Sequence, residues 1–208
     1  MTTTTELFRD DLVFSRAVKA VQEHMGTRER NARARRDEGW RREIGADLVA
    51  FIAERRSLYL GTASADGRPY IQHRGGPKGF LRVLGATTLG FADFDGGGQF
   101  ITLGNLAEND KAFIFLMDYL ERRRVKLWGR AHIVEDDSWM MNRLAHPDFR
   151  EEPRRGIVFE VEAWDVNGPN HIPQFVALED VQAIIDEHRQ RIAELEQRIT
   201  GLTKVMAT

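Results

Sequence analysis

From Ser57 onward the chain breaks into short apolar runs separated by turn residues, a pattern that confines its middle to antiparallel sheet. Residues 57–64 form the first run and 69–74 the returning one. Between them, Asp66-Gly67 supplies the positive backbone dihedrals of a tight hairpin. Further runs cover 80–84, 88–93, 112–118, 125–134 and 157–166. In the last, Val158, Glu160, Glu162 and Trp164 alternate with Phe159, Val161 and Ala163, as on a strand with two unlike faces. Little helix lies between the runs, so the sheet is expected to close wholly or partly and remove its own edges. The expected fold is mainly β with helices: a six-stranded antiparallel barrel with N-terminal helices and a long C-terminal helix.

The flanks follow a different period. Leu12, Val13, Ala17, Val18, Ala20 and Val21 recur at helical spacing, as do Leu48, Val49, Phe51 and Ile52. Seven arginines between Arg28 and Arg42, interleaved with acids and punctuated by Gly39 and Gly45, predict a solvated link. Residues 1–45 are thus expected to be a helical extension and 46–176 the barrel domain, with 177–208 a C-terminal helix. Within the barrel, helical pieces are expected at 101–110 and 136–145, the second with Asp136, Asp137 and Ser138 as candidate caps. At the C-terminus Val181, Ile185, His188, Ile192, Leu195, Ile199, Leu202 and Met206 recur at alternating steps of four and three, which is a heptad seam. Such a helix reaches about 40 Å at ~1.5 Å per residue, longer than a lid on a small barrel requires. The seam predicts a contact with a partner, between subunits or along the partner's barrel, with His188 as its polar register marker; the alternative is an amphipathic helix folded on its own barrel.

A formal net charge of −2 gives no global attraction to nucleic acid or to an anionic membrane, so an anion must be held by local clusters of Lys and Arg. Cysteine is absent, which excludes disulfides and thiolate chemistry and fits a reducing compartment. No run of about 20 apolar residues occurs, and the threonine-rich start lacks the apolar core of an export signal. The expectation is a cytoplasmic protein with no membrane span. No His-rich or Ser-His-Asp pattern marks a metal centre or a nucleophile.

Three elements combine basic residues with permissive backbone. His73-Arg74-Gly75-Gly76-Pro77-Lys78-Gly79-Phe80 ends one strand and opens the next, pairing glycines with two cations as a phosphate site requires. Glycine and proline between strands also suit any turn. In Arg124-Val125-Lys126-Leu127-Trp128 the basic residues and the tryptophan share one strand face, which points into a site or into water. The segment after Asp93, running through Gly96-Gly97-Gly98 and Gln99-Phe100 into a helix, offers free amides to an anion.

In that order, with Phe91-Ala92-Asp93-Phe94, Gly104-Asn105-Leu106 and Trp128-Gly129-Arg130-Ala131, these elements resemble the FMN-binding split barrels of the pyridoxamine 5'-phosphate oxidase-like class. The resemblance covers roughly residues 48–174. It implies a homodimer with FMN in clefts at the subunit interface, built from His73, Arg74, Gly75, Gly76, Lys78, Phe80, Asp93, Gln99, Phe100 and Asn105. Arg124 and Lys126 would come from the other subunit, and Arg124 stands where the oxidases carry a glutamine that contacts the flavin. The implied activity is electron transfer through FMN between reduced nicotinamide or another donor and a small-molecule acceptor. The alternative is a non-catalytic flavin or haem binder or sensor on the same scaffold. A haem-degrading or deazaflavin-dependent relative is the third possibility that the resemblance implies. Two departures stand out. The heptad helix replaces the C-terminal strand whose arginine and tryptophan grip the substrate in true pyridoxamine phosphate oxidases, which sets this chain apart from them. The loop 96–98 also carries none of the basic residues that relatives often place there. Asn170 and His171, in the turn that ends the barrel, are further residues that could reach the cleft.

Overall fold

The computed structural model describes residues 12–38 and 40–206. The part of the first expected helix at 6–11, Gly39, and the side chains of Leu202 and Met206 lie outside the described residues.

Seven antiparallel strands form one sheet: β1 (Ser57–Ala63), β2 (Pro69–Gly75), β3 (Arg82–Val83), β4 (Thr88–Asp93), β5 (Lys111–Asp118), β6 (Arg123–Val134) and β7 (Arg155–Asn167). Their order is β2-β1-β5-β6-β7-β4-β3. Each of the seven expected runs contributes a strand, one more than the six expected of the barrel, and the shortest is β3. The run 80–84 enters the ladder only there, because Phe80 and Leu81 turn fully into the core. The sheet curls without closing. Across its opening Arg74 of β2 forms an ion pair with Asp93 of β4, two strands that share no ladder.

Inner-face residues run across the sheet in register. Leu58 and Leu60 of β1, Ile114 and Leu116 of β5, Val125 and Leu127 of β6, and Phe159 and Val161 of β7 are all inaccessible to solvent. Apolar burial on this scale is the main stabilising term of the domain. One irregularity interrupts the β6–β7 ladder: Trp128 pairs with Ala163 and Gly129 with Val161, so Glu162 is the extra residue of a bulge. Gly129 has no room for a side chain there. A Cβ would sit 2.0 Å from the Glu160 carbonyl oxygen and 2.9 Å from the Phe159 ring.

Before the sheet come α1 (Arg16–His24), α2 (Arg28–Glu38) and α3 (Ala46–Ala53). Ser15 caps α1 by accepting the Val18 amide at 3.3 Å. The arginine-rich link, expected to be a solvated helix or loop, forms α2 and is anchored beyond it. Trp40 is buried with its ring edge-on to both Phe14 and Trp128, each at 5.5 Å, and Ile44 joins Leu48, Phe51 and Ile52 in the core. Counting arginines could not reveal two apolar residues that find pockets far along the chain.

The remaining helices are α4 (Ile101–Glu108), α5 (Ser138–Leu144) and α6 (Leu178–Met206). Asp137 caps α5, accepting the Met140 amide at 2.9 Å. The chain divides into two compact units. One holds the sheet, and the other comprises Tyr119–Arg122 and the residues from Pro169 onward, including α6. Within the second unit Gln174 Nε2 donates to the Leu120 carbonyl at 2.9 Å, and the rings of Tyr119 and Phe175 lie 5.0 Å apart. Among the described residues, no helix is long and apolar enough to cross a membrane, and no group of three or more His, Cys, Asp or Glu could hold a metal ion.

Candidate functional site: a cleft at the glycine loop

The cleft forms where the sheet fails to close. Along β2 side chains alternate, so Tyr70, Gln72 and Arg74 share the inner face with their cross-strand partners Thr62, Leu60 and Leu58. Facing them is the segment from the end of β4 into α4. Gly96 and Gly98 take positive φ values of 50° and 72°, and Phe100 enters the same left-handed region at 50° as the N-cap of α4, without a side-chain cap. Tyr70, Gln72, Arg74, Asp93, the loop 94–99 and the first residues of α4 enclose about 90 Å³. Two side-chain bonds fix α4 against the sheet. Thr102 Oγ1 donates to Gln72 Oε1 at 2.7 Å, and buried Asn105 Nδ2 donates to Thr62 Oγ1 at 3.0 Å.

Charge at the loop end is balanced. Asp93, only 2% exposed, receives Arg74 on one oxygen and Arg155 Nη1 on the other at 3.2 Å. Arg155 also reaches Asp95 at 2.7 Å and Glu135 at 3.1 Å, and Arg154 lies 3.6 Å from Asp95. The Arg155 guanidinium lies 5.6 Å from the centre of the Phe100 ring, a cation–π distance. Three guanidiniums thus meet three carboxylates with no surplus of either sign. Hydrogen bonding is less complete than charge. Among the described residues, Arg74 Nε is buried without a hydrogen-bond partner, and Asp93 Oδ1, which pairs with Arg74 by charge, accepts no hydrogen bond. Buried donors without acceptors are costly and uncommon in folded proteins.

Of the residues expected at a site, Arg74, Asp93, Gln99 and Phe100 line this cleft. Asn105 lies directly behind it, tying α4 to β1. The others fall elsewhere. Phe80 is a core residue, and Gly76 leaves room for it, since a Cβ there would meet Phe80 Cβ at 2.6 Å. Gly75 packs against the ring of His73, with 3.1 Å between its would-be Cβ and Cε1. Lys78 pairs at the surface with Glu54 at 2.7 Å, and this bond holds the Glu54 carboxyl below its ordinary range. His73, Arg124 and Lys126 lie on the outer face. There a row runs across five strands from His73 through Tyr59, Phe115 and Lys126 to Asp165. His73 meets Tyr59 edge-on at 5.6 Å, and Lys126 lies 3.5 Å from Asp165. Asn170 and His171 belong to the second unit.

Sequence reasoning missed Tyr70, Gln72, Thr102 and Arg155. The first two had a signal, since they stand four and two residues before Arg74 and therefore on its face. Arg155 had none, because its meeting with Asp93 depends on the β4–β7 register, in which the two are direct partners.

A curled, unclosed antiparallel sheet with a loop cleft at its opening is the architecture of a split-barrel protein. The profile of the family described as pyridoxamine 5'-phosphate oxidase matches residues 44–167, more than half of the chain, and the chain belongs to that family. Among solved structures, HupZ of Group A Streptococcus is 16% identical, covering 64% of this chain and 99% of its own, with a TM-score of 0.45. General stress protein 26 of Bacillus anthracis is also 16% identical, over 62% of this chain and 95% of its own, at 0.42. A haem-binding protein from Mycobacterium smegmatis is 22% identical, over 59% of this chain and 52% of its own, at 0.42. No curated protein matches the chain.

Proposed function

We propose that this chain binds FMN in the glycine-loop cleft and transfers electrons between reduced nicotinamide or another donor and a small-molecule acceptor, as a homodimer with FMN at the subunit interface. The observation that carries the reading is the donor set of the cleft. Gly97 and Gly98 have nothing within 4 Å of a would-be Cβ, so backbone amides there can approach a ligand closely. The start of α4 has no side-chain cap, which leaves its first amides for an anion, and Arg74 lines the same cleft with its guanidinium held by Asp93. These groups suit the acceptor oxygens of a ribityl phosphate. Bound FMN supplies the redox chemistry through its ring. The chain's own residues hold and orient: Gln72 and Thr102 fix one wall, Arg155 braces Phe100 from behind, and Asp93 keeps both guanidiniums in place.

Two observations support a second subunit. A cleft of about 90 Å³ is one wall of a ligand site rather than a whole one, since such sites span roughly 300–1,000 Å³. The residues matching the family's cofactor set also lie on both faces of one sheet, with Arg74 inside and Lys126 outside, so a single copy cannot turn both toward one ligand. A second copy that brings its Arg124 and Lys126 to the rim of the cleft satisfies both observations.

The test is direct. FMN titrated into purified protein is expected to lose fluorescence to an end point of one FMN per chain. NADH or NADPH added without oxygen is then expected to bleach the flavin, and an acceptor to restore its colour. No uptake at micromolar FMN removes the proposal. Uptake with no turnover for any donor and acceptor tried favours the non-catalytic binder, and a haem spectrum in the protein as purified replaces the ligand.

A further inference from the structure

In α6 the apolar stripe resolves into two heptad positions of different chemistry. Leu178, Ile185, Ile192 and Ile199 repeat every seven residues at one, and Val181, His188 and Leu195 at the other. The steps run three from the first set to the second and four back, so the first set is a and the second d. The stripe faces water. Leu178, Ile185, Ile192 and Leu195 are 80%, 39%, 55% and 41% exposed, whereas a globular helix turns such a face to its own core.

We propose that α6 forms a parallel, in-register, two-stranded coiled coil with α6 of a second copy of this chain. Three observations favour a second copy over another partner. Isoleucine fills three of the four a positions and leucine the d positions 195 and 202, beside Val181 and His188, and isoleucine at a with leucine at d favours parallel dimers. One flanking charge pair is self-complementary, although Arg191 also pairs with Glu194 of its own helix at 3.0 Å. In this register Arg191 falls at g and Glu196 at the following e, so each Arg191 faces Glu196 of the other copy, twice by symmetry. Finally, the one polar d position, His188, meets itself only when the helices are parallel and in register, and a lone polar layer penalises every other alignment.

The absence of cysteine makes the test clean, because each variant carries a single thiol. In the full-length chain, Ile185→Cys and Leu195→Cys sit in the seam, and Gln190→Cys sits opposite it, at f. Mild oxidation followed by non-reducing electrophoresis is expected to join both seam variants into covalent dimers at least tenfold faster than the Gln190→Cys control. Antiparallel pairing about Leu195 would bring the two 195 positions together but hold the two Ile185 copies about 30 Å apart, beyond disulfide reach. Crosslinking at position 195 without 185 therefore overturns the parallel register, and equal rates at all three positions overturn the coil. As a second arm, Ile192→Asp added to Ile185→Cys is expected to abolish the crosslink while leaving the far-ultraviolet spectrum of the sheet intact. A crosslink that survives Ile192→Asp refutes the seam. None of these readouts depends on flavin uptake.

Discussion

Gly97→Arg isolates the phosphate end of the proposed site. Gly97 has no positive φ, and no atom lies within 4 Å of its would-be Cβ, so the arginine enters without backbone strain or steric conflict. It adds a cation where three guanidiniums and three carboxylates now cancel. At about 5 Å from a phosphate dianion in a water-like dielectric, one positive charge contributes about 1.7 kcal/mol. Screening at physiological ionic strength reduces this to about 1 kcal/mol, a fivefold gain in affinity. Riboflavin, which has the same ring and no phosphate, gains nothing. Fluorescence titrations of both ligands, at low and high salt, are expected to give a tighter FMN complex for Gly97→Arg, a gain that shrinks as salt rises, and an unchanged riboflavin complex. Equal tightening of both ligands, or no change for either, refutes the placement of the phosphate at this loop.

Stability measurements test the fold around the cleft. Gly129→Ala drives a Cβ into a backbone carbonyl that cannot move aside, and urea unfolding is expected to register a loss of about 2–3 kcal/mol, with Tm lower by about 5–10 °C. Gly104→Ala, inside α4 with nothing within reach of its Cβ, is expected to gain about 0.5–1 kcal/mol in the same assay. Arg155→Met leaves Asp93 with Arg74 alone at 2% exposure and is expected to cost about 3 kcal/mol, with loss of the ordered glycine loop visible as faster amide exchange at 94–100.

Local patterns carried most of the fold. The Asp66-Gly67 hairpin, the alternation in β7 and the heptads of α6 each follow from neighbours in sequence, and each forms within a residue or two of its expected bounds. What escaped depends on distant pairing. The shortening of the run 80–84 to the two residues of β3, the anchoring of Trp40 on Trp128 and the bulge at Glu162 are decided by shapes that only the assembled sheet presents. The same division runs through the site. Arg74 and the glycine loop were readable because basic residues and glycines are chemically conspicuous, whereas Arg155 became a site residue only through the β4–β7 register. His73 and Lys126 were readable as candidates, but only strand pairing puts them on the face opposite Arg74.

That division gives the glycines of this chain a physical sorting. Where a Cβ would strike protein, the fold itself accounts for the glycine: Gly76 against Phe80, Gly90 against Leu84 and Leu144, Gly129 against the Glu160 carbonyl and Gly156 against Leu144, all closer than 3.0 Å. Gly98 is accounted for by its positive φ. Gly97 has neither reason, yet a glycine costs chain entropy on folding wherever it stands. It lines the cleft together with Arg74 and lies in the loop leading to the uncapped start of α4. In the proposed site, close approach of the ligand to its backbone would supply that reason. Within one copy the phosphate would be held by amides and hydrogen-bond donors with no surplus cation, so once Arg124 and Lys126, the cations proposed to come from the second copy, are both replaced by methionine, the protein is expected to prefer FMN over riboflavin by less than about tenfold, or roughly 1.4 kcal/mol. A preference that stays far above tenfold in that double variant refutes Arg124 and Lys126 as the source of charge at the phosphate.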